Sequence, residues 1–146
     1  MATQRSLAES QQEYFNQRRE QMNSAGNAFS RFYTFDENGQ LKYTNNSFTY
    51  NGQTYQGGLA ALAEIQRTDA HGERVHTNEE QLSMFKAWLG EDVVNQYSTD
   101  SEGNERTTEE ILEALWTAME SDQSEMQSLH DSINSANEEV QNLLNQ

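Results

Sequence analysis

The chain has 146 residues, a formal net charge of −15 and a sequence pI of about 4.4, and it contains neither cysteine nor proline. This length fits a single domain, over residues 1–146, with one modest core. The surplus of carboxylates argues against nucleic acid and against anionic membrane surfaces as partners, because both attract a basic face. The absence of cysteine excludes a disulfide framework and a thiolate metal site.

The amino-terminal segment predicts a helix over residues 5–32, in which Gly26 is the only strong breaker. Apolar residues recur there at near-helical spacing: Leu7, Tyr14, Met22, Ala25, Phe29 and Phe32. Its charged residues are Arg5, Arg18, Arg19 and Arg31 against Glu9, Glu13 and Glu20, which leaves +4 − 3 = +1. This end of the acidic chain is therefore slightly basic.

Residues 33–106 predict a mixed insertion of strands and short helices. Aromatic or β-branched residues alternate with polar ones up to Tyr55, and Asn51-Gly52 favours a two-residue hairpin turn because both residues accept positive φ angles. We expect a two- or three-stranded antiparallel meander here, with a further turn at Asn38-Gly39. A short helix is expected over residues 59–67.

Two T-x-x-E sequences mark helix starts in the rest of the chain. Thr77 and Glu80 predict a capping box that opens a helix ending at Gly90. A further short turn is expected over residues 91–97, followed by an acidic loop over residues 98–106. Thr107 and Glu110 then open the final helix. No internal repeat is expected.

The final helix, residues 107–146, combines nine carboxylates with no lysine or arginine. Spacings of three and four place an apolar seam on heptad positions a and d. The seam residues are Leu112, Leu115, Met119, Met126, Leu129, Ile133, Ala136, Val140 and Leu143. A lone helix this acidic is marginal in water, because like charges repel along it. It therefore requires a partner helix.

The first helix supplies the basic residues that the last one lacks. Complementary charges beside two apolar seams select partners and orientation, so we expect the two terminal helices to pair as an antiparallel coiled coil. The predicted fold class is α+β, mainly α. Arg5, Arg18 and Arg19 are the predicted pairing charges on the first helix, with Asp122 on the last.

Asp122 is the one polar residue in the seam. An unpaired carboxylate between apolar neighbours costs several kcal/mol, so Asp122 is expected to meet Arg18 or Arg19, or to lie where the helices separate. It either fixes the register of the pair or marks local fraying or a skip in the heptad frame.

No residues form a predicted catalytic constellation, and we expect neither enzyme activity nor a cofactor. His71 and His76, with Asp69 and Glu73, are metal-binding types without zinc-site spacing, in a segment that predicts a solvated loop. The segments that begin at Asp36 and Asp100 place glycine at the fourth position rather than the sixth. They therefore predict turns rather than calcium loops.

Terminal helices that pair, a β-containing insertion between them, and the absence of cysteine and proline give this chain an architecture that resembles flagellin-like axial proteins. It also resembles the needle-tip and filament-forming translocators of type III secretion. The likeness covers the whole chain. It implies self-assembly through the terminal helices into a filament, ring or tip complex, with other copies of the chain as partners. It further implies export without a cleavable signal peptide, or a place in a virion.

The alternative is a cytoplasmic adaptor or chaperone-like module whose acidic last helix holds a basic helix of another protein. The arginines of the first helix discriminate between these two functions. If they already face the acidic helix within one chain, no foreign basic partner is required.

Overall fold

Long helices begin and end the chain in this computed structural model, which describes residues 2–145, except for the side chains of residues 2–8 and of Val140. The described elements, in chain order, are α1 (Ala2–Asn23), a 3-10 helix (Ala28–Arg31), β1 (Tyr33–Phe35), β2 (Leu41–Tyr43), β3 (Ser47–Tyr50), β4 (Gln53–Gln56), α2 (Gly58–Ile65), α3 (Asn78–Leu89), α4 (Glu91–Asn95) and α5 (Thr108–Leu144). Helices contain 59% of the residues and strands contain 13%, which confirms the predicted α+β, mainly helical fold class.

The amino-terminal helix predicted over residues 5–32 is wrong at its carboxyl end, because α1 stops at Asn23 and a separate 3-10 helix follows. The Asn23 amide group donates to the Phe35 carbonyl at 2.9 Å, and its oxygen accepts from the Phe35 backbone amide at 2.8 Å. Asn27 caps the 3-10 helix by accepting from the Phe29 amide. Asparagine side chains compete with helical backbone bonds in this way. The chain therefore turns, and Phe29 enters the core.

The strands form two separate antiparallel hairpins, β1–β2 and β3–β4, rather than the predicted meander. The β3–β4 turn is as predicted, with Asn51 at φ 50° and Gly52 at φ 80°. The prediction of a meander is wrong because the segment that joins β2 to β3 forms its hydrogen bonds with residues outside these two strands. The Thr44 amide donates to the Phe32 carbonyl at 3.0 Å, and the Thr44 carbonyl accepts from the Gly58 amide at 2.9 Å.

Both predicted capping boxes are present. Thr77 Oγ1 accepts from the Glu80 amide at 3.2 Å at the start of α3, and Thr107 Oγ1 accepts from the Glu110 amide at 3.2 Å at the start of α5. Gly90 ends α3 with a φ of 101°, as predicted. These local signals fix where the two capped helices begin.

A local repeat, contrary to expectation, precedes both capped helices. Asp69 and Asp100 each begin an Asp-x-x-Gly turn, in which the carboxylate accepts from the backbone amides two and four residues later. The same turn at Asp36 joins β1 to β2. Isolated bridges close the two later loops, Thr68 with Arg74 and Thr99 with Glu105. The segments α2–loop–α3 and α4–loop–α5 thus share one local arrangement.

Trp88, at the end of α3, organises an aromatic core. Its ring lies 6.4 Å from Phe32 and 5.5 Å from Phe48, and its Nε1 donates to the Thr49 carbonyl at 2.9 Å. Phe32 also stacks on Phe48 at 5.2 Å and meets the edge of Phe85 at 6.2 Å. The core therefore lies between the β3–β4 hairpin, the 3-10 helix and α3, where Trp88 has the hydrogen-bond acceptor that a buried indole needs.

The helix α5 contacts two different parts of the molecule along its length. Near its start, Leu112 and Leu115 are buried, and Trp116 meets the ring of Phe85 on α3 at 5.3 Å. Further along, α5 packs against α1, and this is the most extensive contact between any two elements of the described chain. The long final helix thus connects α1 to the aromatic core.

Gly58→Ala tests the close approach of α2 to the 3-10 helix. A Cβ at Gly58 would lie 1.8 Å from the Phe32 carbonyl oxygen, so the backbone would have to move. We expect a loss of about 3 kcal/mol in the unfolding free energy, measured by urea denaturation. Gly26→Ala is the control, because a Cβ there meets nothing closer than 3.7 Å. Equal stability of the two variants would contradict the packing described.

Candidate functional site

The predicted seam of α5 is covered to different degrees along the helix. Leu115 and Met126 are fully buried, and Leu112, Met119 and Ile133 are nearly so. The other described members, Leu129, Ala136 and Leu143, are partly buried. The side chain of Val140 lies outside the described residues. Burial therefore decreases toward the carboxyl end of the helix.

On α1, the apolar residues that face the protein interior are Phe15 and Met22, with 1% and 3% of their surfaces exposed. Tyr14 is half exposed, and the predicted Leu7 lies outside the described side chains. A Cβ at the buried Gly39 would lie 3.0 Å from the Phe15 ring and 3.2 Å from the Met126 carbonyl oxygen. The β1–β2 turn therefore closes over the place where α1 meets α5, and the lack of a side chain at Gly39 permits it.

Arg18 is the predicted pairing charge that contacts α5. Its Nε lies 2.5 Å from one Glu125 carboxylate oxygen, and its second terminal nitrogen lies 3.2 Å from the other. The hydrogen bond that Arg18 donates to Glu125 is the main reason that the pKa of Arg18 is raised. About 28% and 38% of the two side chains are exposed, so the pair contributes less than about 1 kcal/mol. It orients the two helices more than it stabilises them.

The other arginines of the amino-terminal segment have different surroundings. The Arg19 guanidinium faces β1, 3.5 Å from the Phe35 carbonyl oxygen, because Arg19 lies on the side of α1 that packs on that strand. Arg31 lies 6.0 Å from the centre of the Phe48 ring. The side chain of Arg5 is outside the described residues. Among the described side chains, Arg18 is therefore the one predicted pairing charge that directly contacts the acidic helix.

Asp122 lies beside a cavity of about 220 Å³ near the carboxyl end of α1. Burial raises the pKa of Asp122, and the neighbouring Glu125 raises it further, whereas Arg18 and the Asn27 side chain act in the opposite direction. The carboxylate is therefore only partly compensated. Arg18 lines the same cavity, but its salt bridge is with Glu125 and not with Asp122.

Two tyrosines adjoin the same region. Burial, and then the charge of Asp122, raise the pKa of Tyr97, whose ring lines the cavity. Tyr33 is 1% exposed, and its hydroxyl has no hydrogen-bond partner among the described residues. Burial and the charges of Asp122 and Tyr97 likewise raise the pKa of Tyr33. The sequence showed no periodic signal that would place these hydroxyl groups near Asp122.

The two histidines of the loop before α3, His71 and His76, have different surroundings. His71 is exposed, and Asp69 bonds to backbone amides. His76 instead lies between two carboxylates, with Nε2 2.9 Å from Glu64 and Nδ1 3.3 Å from Glu80. Burial opposes the ionisation of Glu64, but hydrogen bonds from Arg67 and His76 outweigh it and lower the pKa. This link between α2 and the start of α3 has no local sequence signal, since Glu64 lies twelve residues before His76.

Within the described residues, no group of three or more histidine, aspartate or glutamate side chains could hold a metal ion. Nor does the described chain contain a helix that is long and apolar enough to cross a membrane. Comparisons with known protein families, with curated proteins and with solved structures found no match.

Asp122→Asn is expected to raise the unfolding free energy near neutral pH. Because the native pKa is raised, ionisation of Asp122 lowers the stability as pH rises through that pKa, and the amide removes this cost. The gain should shrink in acid, where Asp122 is protonated in the parent chain. Urea denaturation across pH measures it, with the exposed Glu120→Gln as the charge-matched control. A gain that does not depend on pH would contradict the assignment.

Proposed function

We propose that this chain is a non-enzymatic structural protein that associates with copies of itself through a helical arm. The distal arm consists of residues 2–14 of α1 and residues 127–144 of α5. The observation that carries the proposal is the unequal apolar content of these two helices. Nothing in the proposal requires a cofactor.

Contacts between α1 and α5 run in opposite order along the two helices. Phe15 adjoins Met126 at Gly39, Arg18 binds Glu125, and Met22, further along α1, lines the same cavity as Asp122. Rising residue numbers on α1 thus meet falling numbers on α5. This order, together with the heptad seam of α5, supports an antiparallel coiled coil that extends into the distal arm.

The two helices of the distal arm do not match in apolar residues. Over residues 2–14, α1 has Ala2, Leu7, Ala8 and Tyr14. Over residues 127–144, α5 has Leu129, Ile133, Ala136, Val140, Leu143 and Leu144. Leu144 and Tyr14 are 51% and 50% exposed. Ile133 is buried within the single chain, but Leu129, Ala136 and Leu143 are only partly buried. A further helix would gain about 25 cal/mol for each Å² of this remaining apolar surface that it buries.

The charge distribution favours a second copy as the occupant. Three of the nine carboxylates of the last helix, Asp131, Glu138 and Glu139, lie in the distal arm, and the other six lie nearer the core. The remaining polar residues of this part of α5 are mostly amides and hydroxyls, which can hydrogen-bond between copies. Repulsion between like charges is therefore weakest in the distal arm, and salt should strengthen association by screening what remains.

Self-association through a terminal arm agrees with the resemblance to axial proteins. An isologous contact between two arms closes as a dimer, whereas a heterologous contact extends into a ring or a filament. In either case the hairpins and α2–α4 would lie away from the contact.

A basic helical partner is the second candidate, and it would bind elsewhere. An open groove of about 770 Å³ lies between the α4–α5 loop and the start of α5. Asp100, Glu110 and Glu113 line it, with Arg106 as the opposing charge. The observation that favours this candidate is that Arg18 alone contacts the acidic helix among the described basic side chains.

Light scattering after size-exclusion chromatography, over a concentration series, tests self-association. We expect the parent chain to form larger species as concentration and salt increase, and Leu143→Gln/Leu144→Gln to shift the equilibrium toward monomer by about tenfold or more. Leu59→Gln is the matched control, because Leu59 is 57% exposed and lies on α2. A parent chain that stays monomeric at all concentrations would overturn the proposal. If Leu59→Gln reduced association as much as the double variant does, the distal arm would not be the contact surface.

A further inference from the structure

The cavity beside Asp122 has a lining that combines one carboxylate with aromatic and amide groups. Its volume is about 220 Å³. The residues that matter are Arg18, Met22, Asn27, Phe29, Tyr97 and Asp122. They come from α1, from the 3-10 helix and its cap, from the segment after α4, and from α5. The cavity therefore forms only when these elements pack together.

Two aromatic rings form one wall of this cavity. Phe29 and Tyr97 lie 6.2 Å apart between ring centres, with an angle of 45° between their planes. Aromatic faces attract cations electrostatically, more strongly when the cation is partly removed from water. Neutral polar ligands gain no such attraction, so this wall favours a positively charged group.

Asp122 is the one carboxylate that lines this cavity. The guanidinium of Arg18 directs its described hydrogen bonds to Glu125 and to Gln21, the latter at 2.6 Å, rather than to Asp122. Because the Arg18 guanidinium is already paired with Glu125, Asp122 has no salt bridge among the described residues. A cation in the cavity would complete this set of charges.

We propose that this cavity binds the guanidinium or ammonium group of an organic cation, held by the Asp122 carboxylate and the rings of Phe29 and Tyr97. The cation comes either from a free small molecule or from a basic side chain of a second copy. The site itself does not depend on self-association. It explains why a carboxylate that lowers stability occupies a seam position, since functional sites commonly keep such groups.

An NMR titration of the full chain with ethylguanidinium chloride tests the site. We expect saturable shifts of the Met22 methyl and of the Phe29 and Tyr97 ring resonances, with a dissociation constant in the millimolar range. N-ethylurea is the control ligand, because it has a similar shape without the charge. It should produce no saturable shift at these positions.

Variants and pH identify the carboxylate. Asp122→Asn should weaken binding about tenfold or more, while Glu120→Gln, an exposed carboxylate on the same helix, should not change it. Binding should weaken in acid as Asp122 is protonated. Arg18, Glu125, Tyr33 and Tyr97 are the other ionisable groups near the cavity. Unsaturable shifts, equal binding by Asp122→Asn, or equal binding of N-ethylurea would each overturn the proposal.

Two outcomes distinguish the source of the cation, and both support the site. If a second copy supplies it, Asp122→Asn weakens self-association and ethylguanidinium competes with it. If a free cation is the ligand, self-association is unchanged while the titration is lost in Asp122→Asn. A monomeric chain that still binds ethylguanidinium through Asp122 would overturn only the function proposed for the distal arm.

Discussion

The structure depends on α5 burying successive parts of one apolar seam against two partners. Leu112 and Leu115 are buried near the core that α3 helps to form, while Met126 lies where α1 crosses. Because the helix is continuous through both contacts, it links α1 to the core, and the bonds between Asn23 and Phe35 add a second link. Without α1, the seam beyond Met119 would face water, and a helix this acidic would not remain folded alone.

Features that depend on neighbours along the chain could be predicted from the sequence. The two capping boxes and the Asn51-Gly52 turn require only residues within four positions of each other, and all are present. The Asp-x-x-Gly repeat was equally local. Thr68-Asp69 and Thr99-Asp100 each precede a glycine and then a T-x-x-E box, so the pattern could have been found by aligning those two segments.

Features that depend on distant residues could not be predicted. The end of α1 is set by Asn23 bonding to Phe35, twelve residues away, and helical periodicity carries no signal of such a bond. His76 contacts Glu64 for the same kind of reason. In the candidate site, the seam period identified Asp122 as exceptional. The aromatic rings and the Tyr33 hydroxyl near it come from segments whose position follows only from tertiary packing.

Native-state hydrogen exchange in the parent chain and in Met126→Ala tests the packing of α1 on α5 most directly. The packing predicts that amides near Met22 on α1 and near Met126 on α5 open with the same free energy, as one cooperative unit. Removing the buried Met126 side chain should lower both by about 2–5 kcal/mol or to the limit of detection. Amides of α1 that exchange at unprotected rates in the parent chain, or that do not respond to Met126→Ala, would contradict the account.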